Sequence, residues 1–239
     1  MYRRIRSITS AFGLLVVTTL AACSKDSTGV TSVDPGTGTD VNLKGTFATA
    51  TQSGDIDLTI SGAAAAIARN QPIMLSLQGM TGIATVTGCL YLKTTTCVAI
   101  TGTYNTVSHA LSLSTTSPAL TFNGTYSGGK ITGSITGSAT GLFVIEEGTV
   151  TVFCGSFIGA ANGRWNFVLL GGGLNGVYND GSGNVALSGS LIGADSLAIT
   201  FAGGSAGGKI NAAGTGASGG WTAGAATGTW SGATTGCRS

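Results

Sequence analysis

The sequence predicts an all-β fold: an antiparallel meander, barrel-like, built as one large barrel or two small ones. Three observations carry that expectation. Apolar and polar residues alternate with period two almost end to end. Gly-rich breaks that suit hairpin turns recur at intervals of roughly ten residues. Glycine itself, 41 of 239 residues, is more than twice as frequent as usual.

Taken in chain order, Ile56, Leu58 and Ile60 alternate with Asp55, Asp57 and Thr59. The segment "GAAAAIARN", Gly62 to Asn70, is the one stretch with helical leaning and is expected to form a short helix or a cap between strands. Val98, Ile100, Gly102 and Tyr104 share a face, as do Leu120, Phe122, Gly124 and Tyr126, and Ile131 and Ile135 flank Gly133. Further on, Trp165, Phe167 and Leu169 alternate, then Val185, Leu187 and Leu191, then Leu197, Ile199 and Phe201. Breaks fall at Ser127-Gly128-Gly129, Asp180 to Gly183 and Ala206-Gly207-Gly208. Alternation with one apolar face marks antiparallel sheet. With so many short strands and little helix to cover edges, closure is the way to hide them. Glycines beside aromatics suit coiled strands in which a ring covers the missing side chain. Tyr104, Phe122, Tyr126, Trp165, Phe167 and Phe201 all fall on apolar faces, so the interior is expected to be largely filled.

An internal repeat is visible. "TFNGTYSGGKI", Thr121 to Ile131, aligns with "TFAGGSAGGKI", Thr200 to Ile210; upstream, Gly102 to Asn105 aligns with Gly176 to Asn179. Each copy ends near a cysteine, Cys154 or Cys237. The expected organisation is a signal peptide over 1–22, a flexible linker over 23–40, a β domain with the first copy over 41–154, and the second copy over 155–239. Val41 to Gln78 would supply further strands.

The opening residues give an address. Arg3, Arg4 and Arg6 precede the apolar run "AFGLLVVTTLAA", which is shorter than the ~20 residues needed to span a bilayer. A basic start, a short apolar core and small residues make an export signal. Leu20-Ala21-Ala22-Cys23 resembles the lipobox of bacterial lipoproteins at all four positions. That resemblance implies acylation of Cys23 after removal of residues 1–22, and attachment to a membrane through the lipid rather than a spanning helix. Ser24, where an aspartate would favour retention at the inner membrane, implies a cell-envelope location at the outer membrane. Ser24 to Asp40, rich in Ser, Thr, Gly and Asp, reads as a flexible stalk. The remainder resembles Gly/Thr-rich β-barrel lipoproteins in style. Gly163-Arg164-Trp165, echoed by Gly228-Thr229-Trp230, resembles the Gly-x-Trp that opens the first strand of lipocalin-like and avidin-like barrels.

Charge is scarce. Without the three leader arginines, eight basic residues face nine acidic ones, so the formal +2 becomes −1. No basic patch argues for nucleic acid. Setting Cys23 aside leaves four cysteines, with three pairings open. Cys89–Cys97, across "CLYLKTTTC", and Cys154–Cys237, joining the ends of the two copies, are the favoured pair. A zinc site would need a Cys-x₂₋₄-Cys pair, which is absent.

No catalytic constellation is apparent, and no metal or cofactor is expected. His109 is the only histidine, beside a turn, and no nucleophile elbow accompanies it. Glu146 and Glu147 are adjacent, so on a strand they face opposite ways and cannot flank one bond; they read as a solvated turn. The Gly-rich stretches have no strand-to-helix context for a phosphate loop. Trp165, Trp221 and Trp230 are the candidates for lining a ligand cavity, or else they are core. Two functions follow: a non-enzymatic surface or periplasmic scaffold module with a protein partner, or a barrel that binds a small apolar ligand or glycan.

Overall fold

The computed structural model describes residues 40–61 and 82–238. The leader, Cys23 and the stalk up to residue 39 lie outside the described residues, as does the segment expected to be helical at Gly62 to Asn70. Among the described residues, sixteen strands follow one another as two separate closed barrels of eight. The first comprises β1 (Val41–Thr49), β2 (Ser53–Ser61), β3 (Ile83–Tyr91), β4 (Cys97–Asn105), β5 (Ala110–Thr116), β6 (Ala119–Ser127), β7 (Lys130–Gly137) and β8 (Gly141–Glu147). The second comprises β9 (Thr151–Gly159), β10 (Gly163–Leu170), β11 (Gly173–Asn179), β12 (Asn184–Ile192), β13 (Ser196–Phe201), β14 (Gly204–Ile210), β15 (Gly216–Ala223) and β16 (Ala226–Ala233). The alternative of a single large barrel is thereby settled in favour of two small ones.

Every neighbouring pair is antiparallel, and each barrel closes by pairing its first strand with its last. β1 meets β8 with Gly45 opposite Ile145; β9 meets β16 with Phe157 opposite Trp230. The alternation read from sequence maps onto inside and outside. Ile56, Ile60, Ile100, Tyr104, Phe122, Ile131 and Ile135 are buried in the first barrel, and Trp165, Phe167, Leu187, Leu197 and Ile199 in the second. The expected hairpin at Ser127-Gly128-Gly129 joins β6 to β7, and Gly128 and Gly129 take positive φ. The glycines at Ala206-Gly207-Gly208, in contrast, lie within β14, and the turn falls at 202–203 instead.

The barrels join through the short linker 148–150, so Cys154, expected to end the first domain, sits on β9 inside the second barrel. The aligned repeats are both hairpins, β6–β7 and β13–β14, but these are the sixth and seventh strands of one barrel and the fifth and sixth of the other. The same one-strand shift separates β4 from β11. The first barrel is thus closed by its N-terminal strand and the second by its C-terminal one. These two closing strands carry Gly45-Thr46-Phe47 and Gly228-Thr229-Trp230. Gly163-Arg164-Trp165 opens the second strand of its barrel, not the first as the lipocalin-like pattern implied.

Alternation fails where the barrels dock. β1, β8 and β10 contain runs buried on both faces. Val144, Val152, Val168, Cys154 and Cys237 form an apolar cluster between the barrels. Asn166 Nδ2 donates to the carbonyl of Phe47, and Arg164 to that of Thr51. Both favoured disulfides are present: Cys89–Cys97 across the β3–β4 hairpin, and Cys154–Cys237 between β9 and the 3₁₀ turn Thr235–Cys237. In the loop-entropy account they contribute up to about 2.6 and 4.6 kcal/mol.

Candidate ligand cavity

The two barrels treat their interiors differently. In the first, large side chains point inward from every strand. Phe47 and Phe143 both pack edge-on against Phe122, at ring-centroid distances of 6.3 and 5.5 Å. One end of this core is polar. Tyr104 hydroxyl lies 3.2 Å from His109 Nδ1, and Tyr126 hydroxyl donates to Glu147 Oε2 at 3.0 Å. Burial, with the nearby Tyr126 and Glu147, pushes the Tyr104 phenol up to about 12. The filled interior expected from sequence holds here.

It holds only in part in the second barrel. There the lining positions of β14, β15 and β16 include Ala206, Ala223 and Ala226. Small residues leave space that neighbouring rings do not fill. A cavity of about 160 Å³ remains at the end bearing the turns 160–162, 180–183, 202–203 and 224–225. Its floor is Trp165, Phe167, Leu187, Ile199 and Trp230; its mouth is Phe157, Ala161, Tyr178, Asp180, Phe201, Trp221, Ala223 and Ala226, with Ala206 on the wall.

All three predicted tryptophans therefore line the cavity, and each is held by its ring nitrogen. Trp165 Nε1 donates to Ser156 carbonyl at 3.0 Å, Trp221 to Ile158 carbonyl at 3.3 Å, and Trp230 to the carbonyls of Gly207 and Gly220 at 3.2 and 3.1 Å. Their rings lie over bare backbone. A Cβ on Gly155 or Gly232 would stand 2.7 or 2.6 Å from Trp165 Cζ2, and Gly228 and Gly208 are covered in the same way by Trp221 and Trp230. These are the ring-over-glycine pairs expected of coiled strands. Around the mouth, Phe157 packs edge-to-face on Trp221 (5.9 Å) and Tyr178 (5.7 Å), and Tyr178 on Phe201 (5.2 Å).

Asp180 is the one charged residue of the lining. Its Oδ1 caps the β11–β12 turn, accepting from Ser182 Oγ (2.6 Å), Ser182 N (2.9 Å) and Gly183 N (3.2 Å). These bonds, the Ser182 hydroxyl first, hold the carboxyl below the usual range, so it is ionised at neutral pH. Burial, and then the Asp180 charge, push the Tyr178 phenol up.

Sequence reasoning missed Phe157, Tyr178, Asp180 and Phe201 as mouth residues. The available signal was the set of small residues Ala206, Ala223 and Ala226 on β14, β15 and β16, which marks missing volume. The other candidates lie elsewhere. His109, at positive φ before β5, packs against Tyr104 and Tyr126 at the end of the first barrel. Glu146 and Glu147 do face opposite ways, but they end a strand and are not a solvated turn. Glu146 is buried (4% exposed) and accepts from Asn175 Nδ2 at 2.8 Å across the seam between the barrels. Compared with known proteins, the chain matches no family model, no curated protein and no solved structure. What the fold defines is a class: a tandem of eight-stranded antiparallel barrels, an architecture compatible with a binding or scaffold module.

Proposed function

We propose that this chain is an exported, lipid-anchored binding protein whose second barrel takes up a small apolar ligand while the first serves as a rigid carrier. The observation that carries the reading is the contrast in filling. Interiors ordinarily pack to crystal-like density, and large buried side chains such as Phe47, Tyr104, Phe122 and Phe143 occupy the first barrel. The second keeps an open-ended apolar space floored by tryptophans. An aromatic-lined barrel mouth is where small-molecule sites occur, and a cavity of about 150 Å³ is large enough for a benzene-sized group. A glycan fits less well, since the lining offers it only Asp180 and the Tyr178 hydroxyl. The reading is of a binder, because the lining is apolar apart from Asp180 and the Tyr178 hydroxyl. The membrane anchor rests on the lipobox at Leu20 to Cys23; a tethered barrel would present or store its ligand at the envelope surface.

Native mass spectrometry of the protein isolated from its own membrane fraction tests both parts. The expected species begins at acylated Cys23 and carries a small molecule. Ala223→Leu, which fills the mouth, is expected to keep the acyl mass and lose the adduct. A wild-type chain without adduct, or an adduct undiminished in Ala223→Leu, would sink the ligand reading. An unacylated chain that retains residues 1–22 would sink the anchor.

A further inference from the structure

The chemistry of the cavity narrows its ligand further. We propose that the second barrel's cavity receives an organic cation, an alkylated ammonium group lying against the mouth rings Phe157, Tyr178, Phe201 and Trp221 with its charge facing Asp180. This rests on the ligand-binding reading above and specifies the ligand class.

Four observations point the same way. First, the mouth is a continuous set of four aromatic rings, each nearly perpendicular to the next, with interplanar angles of 74 to 88°. In such a set faces and edges alternate, and the faces carry the negative part of the ring quadrupole. Cations are drawn to those faces, most strongly when little water intervenes. Second, the positive edge of each indole is already used. The ring nitrogens of Trp165, Trp221 and Trp230 all donate to backbone carbonyls, so none is left to greet an anion or a carbonyl. Third, the single charge on the lining is negative. Asp180 is ionised, its turn contacts use Oδ1, and no salt bridge to it is found among the described residues. No lysine or arginine lines the cavity. A fatty acid would therefore set its carboxylate beside Asp180 with no cation between them, whereas an ammonium group would meet its counter-charge. Fourth, the space is small. About 160 Å³ suits a compact head group more than a long chain, and alkylated ammonium groups combine an apolar shell with a delocalised, weakly hydrated charge.

The probe is choline, set against its neutral carbon isostere 3,3-dimethylbutan-1-ol, with binding to the full chain read from the indole N–H signals of the tryptophans by NMR. The two have the same shape and differ in charge. Choline is expected to bind about tenfold or more tightly than the isostere. Asp180→Asn, which can keep the turn through its Oδ1, is expected to reduce that preference at least threefold. Phe157→Leu, which keeps apolar bulk but removes a ring face, should weaken choline more than the isostere and so narrow the preference at least threefold. Equal or tighter binding of the isostere would overturn the cation inference and leave the apolar-ligand reading standing. A preference for choline that survives both substitutions would also overturn it, because the cation would be bound elsewhere. If neither probe moves the indole signals, the cation inference falls, and the apolar-ligand reading is decided by the native mass spectrum.

Discussion

At the scale of single residues, Trp165 links the core of the second barrel to its cavity. It is 4% exposed, stacks on Phe167 at 4.9 Å with 15° between planes, and meets Trp230 edge-on at 5.1 Å. Its ring also covers Gly155 and Gly232, so removing it would strip packing from three strands. Trp165→Ala is expected to cost about 3–5 kcal/mol of stability, read from urea unfolding followed through the remaining tryptophans. A midpoint equal to wild type would mean that the floor of the cavity is not core. The mouth residues differ in kind. Phe157, Tyr178 and Phe201 are only half-buried, so their rings contribute less to folding and stay free to meet a ligand.

At the scale of elements, the docked strands predict a pH dependence of stability. Glu146 on β8 faces β11, where Asn175 bridges it to Lys130, whose Nζ donates to Asn175 Oδ1 at 2.6 Å. Burial pushes the Glu146 carboxyl up, against the pull of the Asn175 hydrogen bond and the Lys130 charge. Its folded pKa therefore lies above the unfolded value of about 4.3. The stability it contributes is fully present below that pH and is lost as pH rises through the folded pKa. Glu146→Gln can still accept from Asn175 and no longer ionises. It is expected to raise the urea midpoint at pH 7 and leave it unchanged at pH 4. A lower midpoint at pH 7 would show that the carboxylate stabilises the seam instead. The same strands show why alternation weakens here: Phe143-Val144-Ile145 and Phe167-Val168-Leu169 are apolar without a break because one face lines a barrel and the other lines the seam.

At the scale of the whole molecule, the tail after β16 clasps the two barrels. The Cys154–Cys237 disulfide fixes it against β9, and the next residue reaches the first barrel. Arg238 bonds Asp55 Oδ2 through Nε at 2.8 Å and Asp57 Oδ2 through Nη2 at 2.5 Å, with its guanidinium 3.7 Å from the centre of the Tyr91 ring. Asp55 is buried, and that burial raises its pKa in spite of Arg238. Arg238→Ala would leave a buried carboxylate without its cation. Breaking such a pair is costly, but Arg238 and Asp57 are each about a third exposed and screening reduces the effect. A loss of about 1–3 kcal/mol is expected at pH 7, shrinking towards pH 4 as Asp55 takes up a proton. A loss that is the same at both pH values would assign the clasp to stacking on Tyr91 and not to charge.

The sequence by itself determined the class, the faces and the cross-links. Period-two alternation is a local property, so Ile56 to Ile60 or Leu120 to Tyr126 could be assigned an inner face without knowing any partner strand. The disulfide partners were legible too: Cys89 and Cys97 flank one hairpin, and Cys154 and Cys237 close the copies. Closure was not legible. Whether β8 returns to β1 or continues into one larger ring depends on pairings between segments about a hundred residues apart, and those leave no local mark. For the same reason the repeat pointed to Cys154 as a boundary, while the hydrogen bonds place it one strand into the second barrel. The cavity, finally, is a sum over eight strands. Trp165, Trp221 and Trp230 read equally as core or as lining, because neither sequence position nor ring size says whether the opposite wall carries leucine or alanine. Only the closed barrel sets Ala206, Ala223 and Ala226 across from those rings, and the volume they fail to fill is the candidate site.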